Sequence, residues 1–319
     1  MRASIHGRDG STSLGCGALS VRLCFRHVQS EAGQQMVHIL TDTTSGLSAD
    51  VAARYDIALV PQVIHFGQES FLECQEMDSS MFMERLLTSE TLPQTAAPPP
   101  ELFREHFERF AVDGEPILCI HPSSHVSGTV RSASVARQEF PDADIRILDT
   151  LAVGAPLGRM VAKAAEWADE GIDADTILQR LQAMIPRVRI YFTVDTLEYL
   201  QRGGRIGGAK ALLGTILRIR PVLTWREGRV EPGFNERTTR RAIQRLVTLA
   251  CEQAPRDRDP MFSVMHAATP QVADQIADQL REAFGDGRDE SPVDVWVADM
   301  VPAIVTHAGP GAVAVGFFA

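Results

Sequence analysis

No apolar run in the 319-residue chain approaches the roughly 18 residues of a membrane-spanning helix, so stable membrane insertion is not expected. The N-terminus carries no secretory apolar region. The five cysteines are scattered, odd in number and without a C-x-x-C pair, so neither a disulfide framework nor a zinc site is indicated, and the cytoplasm is the natural location. Basic residues are outnumbered, with a formal net charge of -10. That balance, with no aromatic platform for bases, argues against a nucleic-acid binder, which needs a basic surface to neutralise phosphates. No G-x-S-x-G elbow accompanies any serine, so a serine hydrolase lacks its usual marker. What the chain does have is the 45% apolar, 23% charged composition of an ordinary folded protein, at a length that accommodates two domains.

Residues 1–35 differ from the rest: they are rich in Arg and Ser, poor in acids and without periodicity. They read as a disordered extension ahead of a natural start at Met36, with a transit peptide as the alternative. From residue 37, segments of strand length alternate with helical patterns. VHILT (37–41), IALVPQVIHF (57–66), PILCIH (116–121) and IRIL (145–148) read as strands. The helical segments between them open on Ser, Pro or Gly. This alternation predicts a largely parallel sheet flanked by helices, which binds ligands beyond the carboxyl ends of its strands. Asp42 to Ser45 and Ser123 to Thr129 fall at those ends. RIYFTV (189–194), PVLTWREGRVEPG (221–233), FSVMHA (262–267) and VDVWVA (293–298) predict strands of a second α/β domain. The expected division is therefore 36–185 and 186–319.

Several motifs fail on inspection. GGRIGGAK is one residue out of register with a phosphate loop, lacks its hydroxyl, and follows a segment, DTLEYLQR, that reads as helix rather than strand. His121 and His125 have the spacing of a helical metal pair, but Pro122 and Gly128 place them in a loop with no completing ligand. Other segments carry more weight. A strand running into Ser127-Gly128-Thr129 and then a helix forms a seat for an anion, or else Ser127 merely caps the helix. His307, followed by G-P-G, sits where backbone can approach a ligand closely. It could be a catalyst, a metal ligand, an anion donor or a core residue.

The chain resembles the DegV family of bacterial fatty-acid-binding proteins. The matching segments, in family order, are ILTDTTSGL, VPQVIHFGQESF, LPQTAAPPPELF, SSHVSGTVRSA, DTLEYLQRGGRIGGAKALLG, RPVLTWREGRVEP and VTHAGPGAVAVGF. The resemblance implies two α/β domains with one long-chain fatty acid held between them, its tail buried and its carboxylate hydrogen-bonded. The carboxylate ligands it implies are Thr95, Ser127 with Gly128, and His307. It also implies no metal or other cofactor, a monomer, and a carrier rather than an enzyme. One departure stands out: Ala96 and Ala97 occupy positions where family members often have Ser and Gln, which implies fewer or rearranged contacts to the head group.

Physical chemistry is consistent with such a ligand. About 14 buried methylenes at roughly 0.8 kcal/mol each contribute on the order of 11 kcal/mol before ordering costs. A carboxylate entering a low-dielectric cleft offsets much of that unless charge-assisted hydrogen bonds, each about 1.5–3 kcal/mol, receive it. Finally, ten basic residues between Arg202 and Arg241 face only three glutamates, an imbalance that suggests a docking surface. The family resemblance implies a fatty acid kinase as partner, with Arg205 and Arg237 at docking positions. The rival readings are an acyl or phosphate ester hydrolase or transferase with Ser127 as nucleophile and His307 as base, and a nucleic-acid-binding role for the arginine stretch.

Overall fold

The computed structural model describes residues 36–214, 219–285 and 293–319. The expectations for 1–35, and Arg218 of the basic stretch, lie outside the described residues. The first half runs β1 (His38–Asp42), α1 (Ala49–Arg54), β2 (Ala58–Val60), β3 (Val63–Phe66), β4 (Glu69–Leu72), α2 (Ser79–Thr88) and β5 (Gln94–Ala96). It continues with α3 (Pro100–Phe110), β6 (Ile117–His121), α4 (Thr129–Arg137), β7 (Ile145–Asp149), α5 (Ala155–Asp169) and α6 (Ala174–Met184). The second half runs β8 (Val188–Thr193), α7 (Glu198–Arg202), β9 (Arg220–Arg226), β10 (Arg229–Glu236), α8 (Thr239–Gln253) and β11 (Phe262–His266). It ends with α9 (Pro270–Gly285), β12 (Val295–Asp299), α10 (Pro302–Ala308) and β13 (Val313–Phe318).

The described residues form three sheets. The first is wholly parallel, in the order β2-β1-β6-β7. The middle of its central strands, Ile39-Leu40 of β1 and Ile117 to Ile120 of β6, is apolar on both sides because both faces are covered. Alternation along the backbone sorts them: Leu40, Ile117 and Cys119 pack with Phe103 and Phe107 of α3, while Ile39, Leu118 and Ile120 pack with Leu157 and Met160 of α5. Asp42 to Ser45 and Ser123 to Thr129 emerge at the carboxyl ends of β1 and β6, as the pattern predicts.

The second sheet has the order β10-β9-β8-β13-β11-β12 and is antiparallel except for the β11–β12 pair. Tyr191, Val222, Val264 and Val315 face α8 and α9. Ile190, Phe192, Leu223, Met265 and Ala314 face the other way, into a second apolar layer shared with α2 and α10. A small antiparallel sheet, β4-β3-β5, completes the set.

Three expectations are corrected. Residues 57–66 are two strands in different sheets: Pro61 cannot donate to a ladder, and Gln62 N donates instead to Thr43 Oγ1 at 3.0 Å. Residues 221–233 fold back as a hairpin, with Glu227 at φ 47° and Gly228 at φ 75°, the two left-handed residues of a type I′ turn. His121 is not a loop residue. Pro122 ends β6 one position later, and the His121 ring is fully buried edge-on to Phe103. The elements that sequence reading missed are short: β4, β5, the seven-residue α10, and β13, whose apolar run has no bounding turn signal after it. GGRIGGAK follows α7 and its second half enters the 3-10 helix Gly207–Leu212, in keeping with rejection of a phosphate loop.

Candidate functional site

α10 positions His307. Pro302 supplies a helix start, its fixed φ already helical and its missing N–H no loss there. Ala303 N donates to Glu73 Oε1 at 2.6 Å, and the other oxygen of Glu73 accepts from Thr43 Oγ1. One carboxylate thus joins the loop after β1 to the start of α10. The helix ends at Gly309, whose φ of 79° suits only glycine and whose α-carbon packs on the Tyr199 ring. His307 lies in the last turn. Its Nδ1 faces Gly203 so closely that a Cβ there would stand 2.1 Å away, and its Nε2 lies 2.9 Å from Thr95 Oγ1.

Thr95 is held by β5, where it pairs with Ile64 of β3. Ser127 ends the loop after β6: its backbone N–H donates to Ser123 O at 3.1 Å, and Ser123 Oγ donates to Gly228 O of the β9–β10 turn at 2.8 Å. The Ser127 hydroxyl lies 2.8 Å from Thr129 Oγ1, which in turn accepts from Gln62 Nε2 at 3.0 Å. Gly128 is the N-cap of α4, so close behind Ala97 that an added Cβ would lie 3.3 Å from the alanine's. Arg205 turns inward: Nε donates to Val126 O at 2.9 Å and Nη1 to Gly203 O at 2.6 Å.

Thr95, Ser127 and His307 all border one cavity of about 920 Å³, its open mouth included. Apart from that polar cluster its wall is mostly apolar, with Phe192, Trp225, Met265, Ile304 and Ala314 among the lining side chains. Gly128 stands behind the wall and not in it. Arg205, read from sequence as a docking residue, lines this cavity and an adjoining polar recess that also contains Arg202 and Tyr199. Arg237 is exposed, as are Arg240 and Arg241. Thr44, in the carboxyl-end loop Asp42 to Ser45, also lines the cavity, as does Gln62, which sequence reasoning did not single out although it lies in VPQVIHFGQESF.

The cluster can supply hydrogen-bond donors to an anion. Burial, and to a lesser degree the Arg205 charge, push the His307 imidazole down to about 4, so the ring is neutral near pH 7 and has one N–H to donate. Two hydroxyls and a nearby guanidinium supply the rest. Ser127 Oγ bonds Thr129 and His307 bonds Thr95, so the nucleophile–base hydrogen bond of a hydrolase is not formed among the described residues. Nor does any group of three or more His, Cys, Asp or Glu side chains among them suit a metal ion.

Glu73 gives the site a pH signature. Burial pushes its carboxyl up to about 7 from an ordinary 4.5, against the opposing pull of the Thr43 hydroxyl and the Ala303 N–H. Between those values the unfolded chain ionises this group and the folded chain does not. Its contribution therefore destabilises progressively as pH rises through the window, by on the order of 3 kcal/mol in full. Glu73→Gln keeps an acceptor for Ala303 and escapes the penalty. Its stability relative to the unsubstituted protein should increase between about pH 5 and about pH 8 in denaturant unfolding. A difference independent of pH would show that Glu73 titrates normally.

Fold and cavity together define a class: an α/β protein whose mixed sheet floors an apolar channel with a hydroxyl and imidazole cluster on its wall. Comparison with known proteins gives the family. The family model described as "Uncharacterised protein, DegV family" matches residues 36–319. A DegV domain-containing protein of Halalkalibacterium halodurans is 34% identical over 283 residues, covering 88% of this chain and 98% of that protein. Protein DegV of Bacillus subtilis is 29% identical over 280 residues, with the same coverage of 88% and 98%. Among solved structures, a fatty-acid-binding DegV family protein from Thermus thermophilus superimposes with a TM-score of 0.79 at 30% identity, covering 89% of this chain and 99% of that one. DegV of Bacillus subtilis, described as a fatty acid binding protein, gives 0.81 at 28% identity and covers 89% and 100%. The chain belongs to the DegV family.

Proposed function

We propose that this protein binds one long-chain fatty acid, with the acyl tail in the channel between lobes 36–185 and 186–319 and the carboxylate received by Thr95, Ser127 and His307. The observation that carries the reading is the shared cavity: a mostly apolar channel meets a neutral imidazole and two hydroxyls on its wall. Apolar walls favour the chain, and those donors favour the carboxylate without acting on it. The fatty-acid-binding relatives support the same ligand class.

On this reading the protein is a cytoplasmic, monomeric carrier and not an enzyme in its own right. It offers the carboxylate to a fatty acid kinase that carries the nucleotide and metal, and so feeds phospholipid synthesis. The exposed Arg237, with Arg240 and Arg241 beside it, suits docking of that partner. Arg205 is spent inward on Val126 and Gly203, which fits a role at the carboxylate end better than one on an outer face. With Ala96 exposed and Ala97 on the cavity wall, these two positions offer the cavity no side-chain hydroxyl or amide.

Mass spectrometry of an organic extract from the freshly purified full chain, with native mass spectrometry alongside, tests the proposal. The expected result is a near-stoichiometric long-chain fatty acid. Protein that is empty and takes up neither palmitate nor oleate would sink the carrier reading, and turnover of an acyl or phosphate ester would replace it.

A further inference from the structure

Next to Ser127 stands a pair of buried polar side chains that the head-group reading leaves unused. Gln62 is 3% exposed and Thr129 fully buried. Gln62 is fixed by its backbone, whose N donates to Thr43 Oγ1 at 3.0 Å and whose O accepts from Glu73 N at 2.9 Å. Its side-chain Nε2 donates to Thr129 Oγ1 at 3.0 Å. Thr129 begins α4, and its Oγ1 lies 2.8 Å from Ser127 Oγ, which also accepts from Thr129 N at 3.3 Å. Ser127, half-buried, borders the cavity.

A single proton lies between the two hydroxyls, and its direction decides what Ser127 can do for a ligand. A hydroxyl has one proton to give and two lone pairs with which to receive. Among the described residues, Thr129 has one acceptor within reach of its proton, Ser127 Oγ. Were Ser127 to donate to Thr129 instead, Thr129 would receive from both Ser127 and Gln62 and keep its own proton, fully buried, without an acceptor. Folded proteins rarely leave a buried polar group in that condition. Thr129 therefore donates to Ser127. The Ser127 oxygen then receives from both Thr129 N and Thr129 Oγ1, which occupies its two lone pairs and leaves its own proton for the cavity. Gln62, Thr129 and Ser127 form a chain of donors running one way, in which each bond polarises the next.

We propose that Thr129, supported by Gln62, is a positioning residue that turns the Ser127 proton into the channel and makes this part of the seat a donor only. The inference rests on the fatty-acid reading given above and adds a selectivity among head groups. An ionised carboxylate only accepts, so it gains fully from such a seat. A neutral head group with a proton of its own to place, such as a long-chain alcohol, finds no free lone pair on Ser127 to receive it.

The test uses delipidated full-length protein and reads the ratio of its affinities for palmitate and for hexadecanol, two ligands of the same tail length, near neutral pH. Thr129→Val removes the hydroxyl, frees a lone pair on Ser127 and leaves its proton undirected. The ratio should fall about tenfold, part of what a hydrogen bond to a charged group contributes. Thr129→Ser keeps a hydroxyl and should restore the ratio. Gln62→Leu removes only the first donor of the chain and should lower the ratio by a smaller factor. In a Ser127→Ala background neither Thr129→Val nor Gln62→Leu should change the ratio further, because the hydroxyl through which both act is gone. A merely structural role would weaken acid and alcohol alike. A ratio unchanged in Thr129→Val, or in Gln62→Leu should the first variant not fold, would therefore overturn the positioning role while leaving the carrier reading intact, as would a further fall in the Ser127→Ala background. Failure of the unsubstituted protein to bind palmitate would overturn both.

Discussion

Ala314→Phe should abolish fatty-acid retention while leaving the protein folded. Ala314 is 3% exposed, on the central strand β13, and its methyl faces the channel while Val313 and Val315 face the helices behind. A benzyl group there projects into space that the acyl chain would use. Excluding only four methylenes costs about 3 kcal/mol, more than a hundredfold in affinity. The head-group residues stay untouched, so a loss isolates the tail as the source of affinity. Native mass spectrometry of purified Ala314→Phe, with thermal unfolding as the control for folding, reads the outcome. Overpacking a closed core costs about 1–3 kcal/mol, whereas a ring entering an open channel should cost less. Retention at the level of the unsubstituted protein would mean that the acyl chain does not lie along this strand.

His307→Ala should weaken long-chain fatty acid binding by roughly ten- to a hundredfold. That is the effect of removing one charge-assisted hydrogen bond, about 1.5–3 kcal/mol, from a buried carboxylate. His307→Gln can place an N–H near the same position and should recover part of the loss. The variant has a second signature in the ligand-free protein. The imidazole is pushed down to about 4 from 6.5, so as pH falls through that interval the unfolded chain takes up a proton that the folded chain refuses. The unsubstituted protein loses stability on that account below about pH 6.5, and His307→Ala does not. Isothermal titration with palmitate near neutral pH and unfolding at mildly acid pH measure the two effects separately. Undiminished affinity in His307→Ala would remove the imidazole from the carboxylate site.

Legibility of the molecule divides by the range over which each feature is decided. The parallel sheet could be read directly because its strands are apolar on both faces and separated by helices with local start signals, as in ILCIH before SGTVRSA. Capping is equally local, since Asp78, Asp173 and Thr238 each accept an N–H a few residues on, although the start signals named in the sequence were Ser, Pro and Gly. Residues 57–66 were misjudged because an apolar run of that kind continues through a proline in sequence but not in a hydrogen-bonded ladder. The fate of Gln62 depends on Thr43, nineteen positions earlier. α10 escaped notice because seven residues give too little periodicity to count, and what holds its start is Glu73, 230 positions away.

The sequence by itself determined the α/β class, the apolar strands of the parallel sheet, the carboxyl-end loops, and the family, since all of these follow from local periodicity, turn chemistry and motif order. Only the tertiary structure decided that His307 meets Thr95, 212 positions away, that Arg205 turns inward to Val126, and that Met265 bonds Ala155 across 110 positions. Such contacts depend on how separate sheets and helices pack, and packing is fixed by the sum of many weak apolar contacts that no single stretch of sequence contains.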